Sequence, residues 1–505
     1  MSNKFILFIF LLNLPFIFLR TIRNPLLLQV SARPWLLSLS SKLGTNITSF
    51  NQIPESVYEE LQSMKVDYLW VMGVWKVGQF GINHDRTKQS LLDEYKSYLP
   101  DFTLEDAIGC PYAVVEYDCN PELCPNGNDD LLSLKSKLNS HNIKLMLDFV
   151  PNHSAFDSPW MSEDINLYIR ERPDQVHDSS LYFDNGVAFG GGVWTDVAQL
   201  NYFNPKTREI MLERIIKVAS LSDSMRCDTA IMVANDYFES TWKKELEYWN
   251  YTRPSTEFWS MAIEEVKKLY PNTVFFAEVF ENYLGDMLSQ GFDYVYDKDL
   301  LIHLSKGNVD VVRGYVYSTQ EIGETMGRFI ENHDDNRAAS FFKNSTTITN
   351  AAALITYTSP GMKFLFQDFQ YGFKNRLDVH LRRSYAEPIS EETVNFYNKL
   401  LPIITSDILK YGTFSLARIY GDDSFKFIAW KWNDPETHEK LLIIVNFSDG
   451  QSNCNIVIDD VESQGNVKMN ELLYEMQITR DAEQLKTDGL FVILESYSGM
   501  VFSYI

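Results

Sequence analysis

The chain has 505 residues, enough for two or three domains or for one large barrel with an appendage. Hydrophobic residues make up 45% and charged residues 22%, a globular balance that excludes wholesale disorder. The formal net charge of -23 repels phosphate backbones, which argues against nucleic acid as a partner and favours a neutral or cationic substrate.

The N-terminus carries an apolar stretch, Phe5 to Leu19, interrupted by Asn13, with Lys4 before it and Arg20 and Arg23 after it. It has the basic start and long apolar region of a signal peptide, but no small-residue cleavage site follows. As a membrane span it is short and broken by Pro15, against the roughly 20 residues a helix needs. Residues 1–25 are therefore expected to target or anchor the chain. A secreted, luminal or membrane-anchored protein is expected over a cytoplasmic one, with membrane contact confined to this segment. Sequons at Asn46, Asn250, Asn344 and Asn446 are compatible with secretion. The cysteines (Cys110, Cys119, Cys124, Cys227, Cys454) are too few and too scattered for a disulfide framework, although Cys119 and Cys124 are close enough to bridge in a secreted chain. No Cys/His spacing resembles a zinc site.

Beyond this segment, short β-rich runs alternate with amphipathic helical stretches, the pattern of parallel βα units. The first run is Tyr68 to Trp75, preceded by a helix that opens at Pro54 and carries Val57, Leu61 and Met64 on one face. A second run follows a polar insertion, near Ala113 to Tyr117. Leu131, Leu134 and Leu138 mark a helix, and Ile143 to Val150 is the third strand. Residues 151–195, with Gly190, Gly191 and Gly192, read as a short inserted excursion. Asn204 and Pro205 open the next helix, with Ile215, Val218 and Ala219 on its inner face. The remaining strands are expected at Ser224 to Asp228, Val274 to Phe280, Phe292 to Tyr296, Gly327 to Asn332 and Lys363 to Phe366. Eight such runs, with no nucleotide-binding glycine loop, predict an α/β fold, a (β/α)8 TIM barrel over residues 26–404. After about residue 405 the strands Phe425 to Trp432, Leu441 to Phe447, Asn455 to Ile458 and Leu490 to Leu494 predict an antiparallel β-sandwich over 405–505.

In such a barrel, functional groups gather at the C-terminal ends of the strands. Four of these ends carry unusual polar residues: Asp148 to His153, Met225 to Asp228, Phe276 to Val279 and Glu331 to Asp335. The two-residue period of a strand points Arg226 and Asp228 to the same side, so the guanidinium can keep Asp228 ionised. Glu278 lies in an apolar run beside that anion, which favours its protonated form. A charged carboxylate beside a protonated one is the pairing glycoside hydrolysis requires.

The stretches DFVPNH, MRCD, FFAEVF and FIENHDD resemble, in the same order, the four conserved stretches of the α-amylase superfamily, glycoside hydrolase family 13. Gln199-Leu200-Asn201 resembles its short additional motif. Together with Trp194-Thr195-Asp196 and Pro360-Gly361-Met362-Lys363, it looks closest to a bacterial-type branch of undefined substrate preference. The resemblance implies Asp228 as nucleophile, Glu278 as acid/base and Asp334 as the third carboxylate, with Arg226 orienting the nucleophile. It implies His153 and His333 as donors to the bound sugar, and Tyr112 as the ring that stacks on it. Asn152 matches a calcium-binding position, so calcium is a candidate metal and no other cofactor is required. Asp148 is expected to hold its loop.

The implied partner is an α-linked oligo- or polysaccharide. Transglycosylation, or sugar isomerisation on the same machinery, is the alternative. A non-catalytic anchored barrel would carry an eroded triad, and all three carboxylates are present. Two departures bear on substrate length. Thr229-Ala230-Ile231-Met232 stands where many members carry a Lys-His pair, and Gln367-Asp368 stands where many carry Gly-Glu.

Overall fold

Eight parallel strands of three to six residues close a barrel: β1 (Leu26–Ser31), β2 (Tyr68–Met72), β3 (Lys144–Phe149), β4 (Ser224–Cys227), β5 (Val274–Ala277), β6 (Tyr294–Asp297), β7 (Met326–Arg328) and β8 (Met362–Phe366). Neighbours pair in chain order, and β1 closes the ring between β2 and β8. The computed structural model describes residues 22–172, 185–187 and 193–505. The apolar Phe5 to Leu19 stretch and the run Gly190 to Gly192 lie outside the described residues. No described helix is long and apolar enough to cross a membrane.

The strand expected near Ala113 to Tyr117 is not part of the barrel. It forms Val114–Cys119, pairs antiparallel with Trp75–Val77, and covers the barrel mouth as a two-stranded ribbon. Its burial alternates, with Val114, Tyr117 and Cys119 inside and Val115, Glu116 and Asp118 half exposed. Barrel strands are covered on both sides and read as continuous apolar runs. The missing barrel strand is β1, LLLQVS, which is buried at all six positions and follows the N-terminal apolar stretch closely enough to read as its tail. One strand leaves the count and another enters it, so the third to eighth strands keep their places.

The helices follow their sequence signals. Leu131, Leu134 and Leu138 are the buried face of Asn128–Ser140. Asn204 caps Pro205–Leu221 by accepting from Lys206 N at 3.0 Å. Between β3 and helix Pro205–Leu221, His153–Ala155, Asn185–Val187 and Val193–Gln199 form a small antiparallel sheet, the inserted excursion. Cys119 and Cys124 form a disulfide, and Cys110, Cys227 and Cys454 are free.

Helices Glu391–Ile404 and Asp407–Tyr411 precede Thr413–Leu416, the first strand of the antiparallel region. Six strands there form one sheet and three form another. Strand Phe427–Asn433 shows how they are placed. Phe427 and Ala429 face the smaller sheet and fill the core between the two. Ile428, Trp430 and Trp432 point the other way and join the barrel's core, with Trp432 Nε1 donating to Thr358 O at 2.9 Å. A period of two thus glues one sheet to two partners. Asn446, one of the sequons, is fully buried and its amide donates to Gly450 O and Glu495 O, so this one is shielded from modification in the folded chain.

Inside the barrel, the Phe276 ring lies 4.8 Å from Tyr296 and 6.1 Å from Phe364. Gly327 on β7 makes room for it, because an added Cβ there would run into the ring. Overpacking of this kind costs about 1–3 kcal/mol. Gly327→Ala is expected to lower unfolding free energy by that amount in urea titrations, and an unchanged midpoint would show that the ring has slack.

Candidate active site

β3, β4 and β5 are adjacent, and their C-terminal ends bring Asp148, Arg226, Asp228 and Glu278 together. Asp148 and Arg226 are register partners across β3 and β4. Arg226 is fully buried on β4 and spends its donors on four groups. Nη1 donates to Asp228 Oδ1 at 2.7 Å and to Asp148 Oδ1 at 3.2 Å. Nη2 donates to Glu278 Oε2 at 2.7 Å, and Nε donates to the Tyr296 hydroxyl at 3.1 Å. The guanidinium also lies 5.2 Å from the ring centroids of Trp70 and Tyr112. A buried cation is tolerable only when paired this fully.

Burial shifts the protonation of two of these carboxylates. Burial pushes Glu278 up to about 8, with Arg226 opposing and Asp228 and Asp334 reinforcing. Burial also raises Asp148 to about 7, against Arg226 and the Trp70 indole, which donates to Asp148 Oδ2 at 2.9 Å. The Trp75 indole holds the same residue by its carbonyl, at 2.8 Å. Asp148 thus anchors both the loop and the arginine.

Opposite this group stand His333 and Asp334, on the loop after β7. The Nε2 of His333 lies 2.7 Å from the Tyr112 hydroxyl and 3.2 Å from Asp334 Oδ2. Its Nδ1 lies 2.6 Å from the Gln29 amide. The Tyr112 ring stacks on the imidazole at 5.4 Å. Burial, then repulsion from Arg226, drives the His333 pKa well below its usual range, so it is neutral at physiological pH. Asn332 Oδ1 accepts from the backbone of Asp334 and Asp335, which sets the turn. The Asp334 side chain is 41% exposed, against 8% for Asp228, so it is the carboxylate open to a ligand.

His153 begins the short strand after β3, 5.1 Å from Trp194, and burial lowers its pKa. Asn152 beside it is committed within the protein, since Gln199 Nε2 donates to both its Oδ1 and its backbone oxygen at 2.9 Å. Among the described residues no group of three His, Cys, Asp or Glu side chains could hold a metal ion. Asn152 thus serves as a loop clasp between the end of β3 and Gln199.

All eight residues singled out in the sequence lie at the barrel mouth or its rim. Gln29 and Tyr296 were not singled out there, and Gln199 and Thr229 were named only within longer stretches, with no role as clasp or contact. Gln29 carried a signal, being the one polar side chain inside LLLQV. Tyr296 carried none, because an aromatic residue in a barrel strand reads as core.

The raised Glu278 pKa has a consequence for stability. A carboxyl that binds its proton more tightly folded than unfolded favours the folded state below the ordinary value of 4.5, and that contribution is lost as pH rises through about 8. Glu278→Gln lacks the ionisation. Its Tm should match the natural protein's near pH 5 and exceed it near pH 9 in thermal melts; parallel curves across that range would contradict the assignment.

The alpha amylase catalytic-domain family model matches residues 125–407. Alpha-amylase 3 of Dictyoglomus thermophilum is 24% identical over 284 residues, covering 51% of this chain and 53% of that protein. The chain spans about half the length of the curated relatives it matches. In fold it is similar to an alpha-amylase from Geobacillus thermoleovorans solved with acarbose, with TM-score 0.69, 15% identity, and coverage of 96% of this chain and 99% of that one. It is likewise similar to a noncanonic maltogenic alpha-amylase from Thermotoga neapolitana, with TM-score 0.67, 17% identity and the same coverage. With a family match over more than half its length, on a closed barrel bearing this carboxylate cluster, the chain belongs to the alpha-amylase family of glycosidases.

Proposed function

We propose that this chain is a retaining α-glycosidase that cleaves α-glucosidic bonds of short oligosaccharides by double displacement. The carrying observation is the single buried guanidinium shared by Asp228 and Glu278. It fixes two carboxylates side by side, each 2.7 Å from the guanidinium, and burial pushes one of them, Glu278, up to about 8. That is the division of labour the reaction needs.

Glu278 gives its proton to the glycosidic oxygen as Asp228 attacks the anomeric carbon, and the leaving sugar departs with that proton. The glycosyl group is then an ester on Asp228. Glu278, now a carboxylate, takes a proton from water as the water's oxygen displaces Asp228, which restores both groups. Two inversions give net retention. Asp334, the most exposed of the three, is placed to bind sugar hydroxyls, and neutral His333 can donate to them without adding a charge. Tyr112, pinned by its hydroxyl to His333, offers an aromatic ring beside the same subsite.

Short substrates are favoured by what lies beyond the nucleophile. Ile231 and Met232 are 2% and 5% exposed and packed in the core, so they offer no donors to a sugar past the cleavage point. Sugar hydroxyls buried there without partners would each cost about 1–3 kcal/mol. Remote binding energy helps catalysis only where subsites exist to collect it.

One experiment tests both parts: hydrolysis of maltose through maltoheptaose and of soluble starch, followed by NMR of the first-formed sugar. The α anomer should appear first, and kcat/KM should change little with chain length. Asp228→Asn should abolish turnover, and Glu278→Gln should lower kcat by about 10²–10⁴-fold, less on substrates with good leaving groups. Initial β anomer would sink double displacement. A steep rise with length, with internal cleavage of starch, would sink the short-substrate reading alone.

A further inference from the structure

Directly after Asp228 the chain does something costly. Thr229 has a left-handed backbone, with φ 39° and ψ 43°. Glycine, asparagine and aspartate tolerate that region, and a β-branched residue is its poorest occupant. Such strain persists where surrounding contacts impose it, and it concentrates at functional sites.

Here two contacts impose it, one to each carboxylate of the pair. The Thr229 N–H donates to Glu278 Oε2 at 2.7 Å, and its hydroxyl donates to Asp228 Oδ2 at 3.3 Å. The turn is pinned on both sides as well, with Asp228 N donating to Phe149 O and Ala230 N donating to Glu278 O.

Counting donors on each oxygen then distinguishes the two oxygens of each carboxyl. Glu278 Oε2 accepts from both Arg226 Nη2 and the Thr229 amide. A proton on that oxygen would face two donors. Among the described residues no donor reaches Oε1, which is therefore where the acid proton resides. On Asp228, Oδ1 is held by the charge-assisted bond from Arg226, whereas Oδ2 has the longer contact to the Thr229 hydroxyl. Oδ2 is the freer oxygen and the one able to attack.

We propose that Thr229 is a positioning residue for the double displacement: its amide confines the Glu278 proton to Oε1, and its hydroxyl aims Asp228 Oδ2 at the anomeric carbon. This rests on the double-displacement reading above. As the Oδ2–carbon bond forms and the carbon–oxygen bond of the leaving group breaks, the proton on Oε1 passes to the leaving oxygen. The electron pair of that O–H bond stays on Glu278. The left-handed backbone is what lets one residue serve both groups, because it turns N–H and side chain towards neighbouring strand ends.

The test is steady-state kinetics and the pH profile of kcat/KM for Thr229→Val, Thr229→Ser and Thr229→Gly, using 4-nitrophenyl α-glucoside and maltotriose. The charged and titratable groups that face Asp228 and Glu278 are Arg226 and Cys227 on β4, Asp148 on β3, Tyr296 on β6, His333 and Asp334 after β7, and Tyr112, Tyr117 and His153 on the rim. All of them are kept in these variants, so a change in rate reports Thr229. Valine keeps the shape and the amide and loses only the hydroxyl. It should lower kcat on the order of tenfold with KM little changed. The alkaline limb should stay where Glu278 sets it. Serine, which returns the hydroxyl, should restore kcat. Glycine should match or exceed the natural Tm yet lose kcat, since relief of strain frees the amide. A valine variant with natural kcat overturns the proposal while leaving the parent reading intact. So does a serine variant no better than valine. A natural protein inactive on both substrates overturns both.

Discussion

One buried guanidinium sets the terms for the rest of the molecule. Arg226 sits inside a barrel of aromatic and aliphatic side chains, where an unpaired cation would be prohibitively costly. The pairing it requires draws Asp148, Asp228 and Glu278 from three adjacent strands into contact with it, and Tyr296 from a fourth. The barrel's register makes this possible, since parallel neighbours place strand ends side by side and the two-residue period turns Arg226 and Asp228 to one face. The burial that this packing imposes, with Asp228 and Asp334 close by, pushes Glu278 up to about 8 despite the arginine beside it.

The remaining structure supports that cluster. Trp70 and Trp75 fix Asp148, and Asp148 in turn restrains Arg226. Gln29 on β1 holds His333, whose other nitrogen meets Tyr112 and Asp334. Gln367 at the end of β8 accepts from Ser31 N, so the residue standing in place of the usual Gly-Glu pair closes the barrel against β1 and keeps Gln29 in position. The antiparallel region contributes at a distance, because Trp430 and Trp432 belong to the same core as the barrel helices.

Much of the site was legible because the residues that matter stand where strand ends break the apolar pattern. Asp228, Glu278 and Asp334 are acidic residues at the close of buried runs, and the order of the motifs around them is specific. What stayed hidden depended on contacts between distant segments. β1 escaped because an apolar run after another apolar run has no boundary of its own, and its Gln29 meets His333 across 304 residues. The ribbon at Val114–Cys119 passed for a barrel strand because half-burial alternates only once the fold is known. The clasp at Asn152 was hidden for the same reason, since its partner Gln199 lies 47 residues away. The conformation of Thr229 was also illegible, because nothing in its own residue type announces a left-handed turn.

The central claim is that Asp228 is the group that becomes bonded to the sugar. Incubation with a fluorinated α-glucosyl fluoride, which forms a glycosyl-enzyme and releases it slowly, followed by peptide mass spectrometry, tests it most directly. The account predicts a single glycosyl label, an ester on Asp228, that is lost in Asp228→Asn. A label on Glu278, Asp334 or any other side chain, or turnover of the reagent with no label at all, would contradict it.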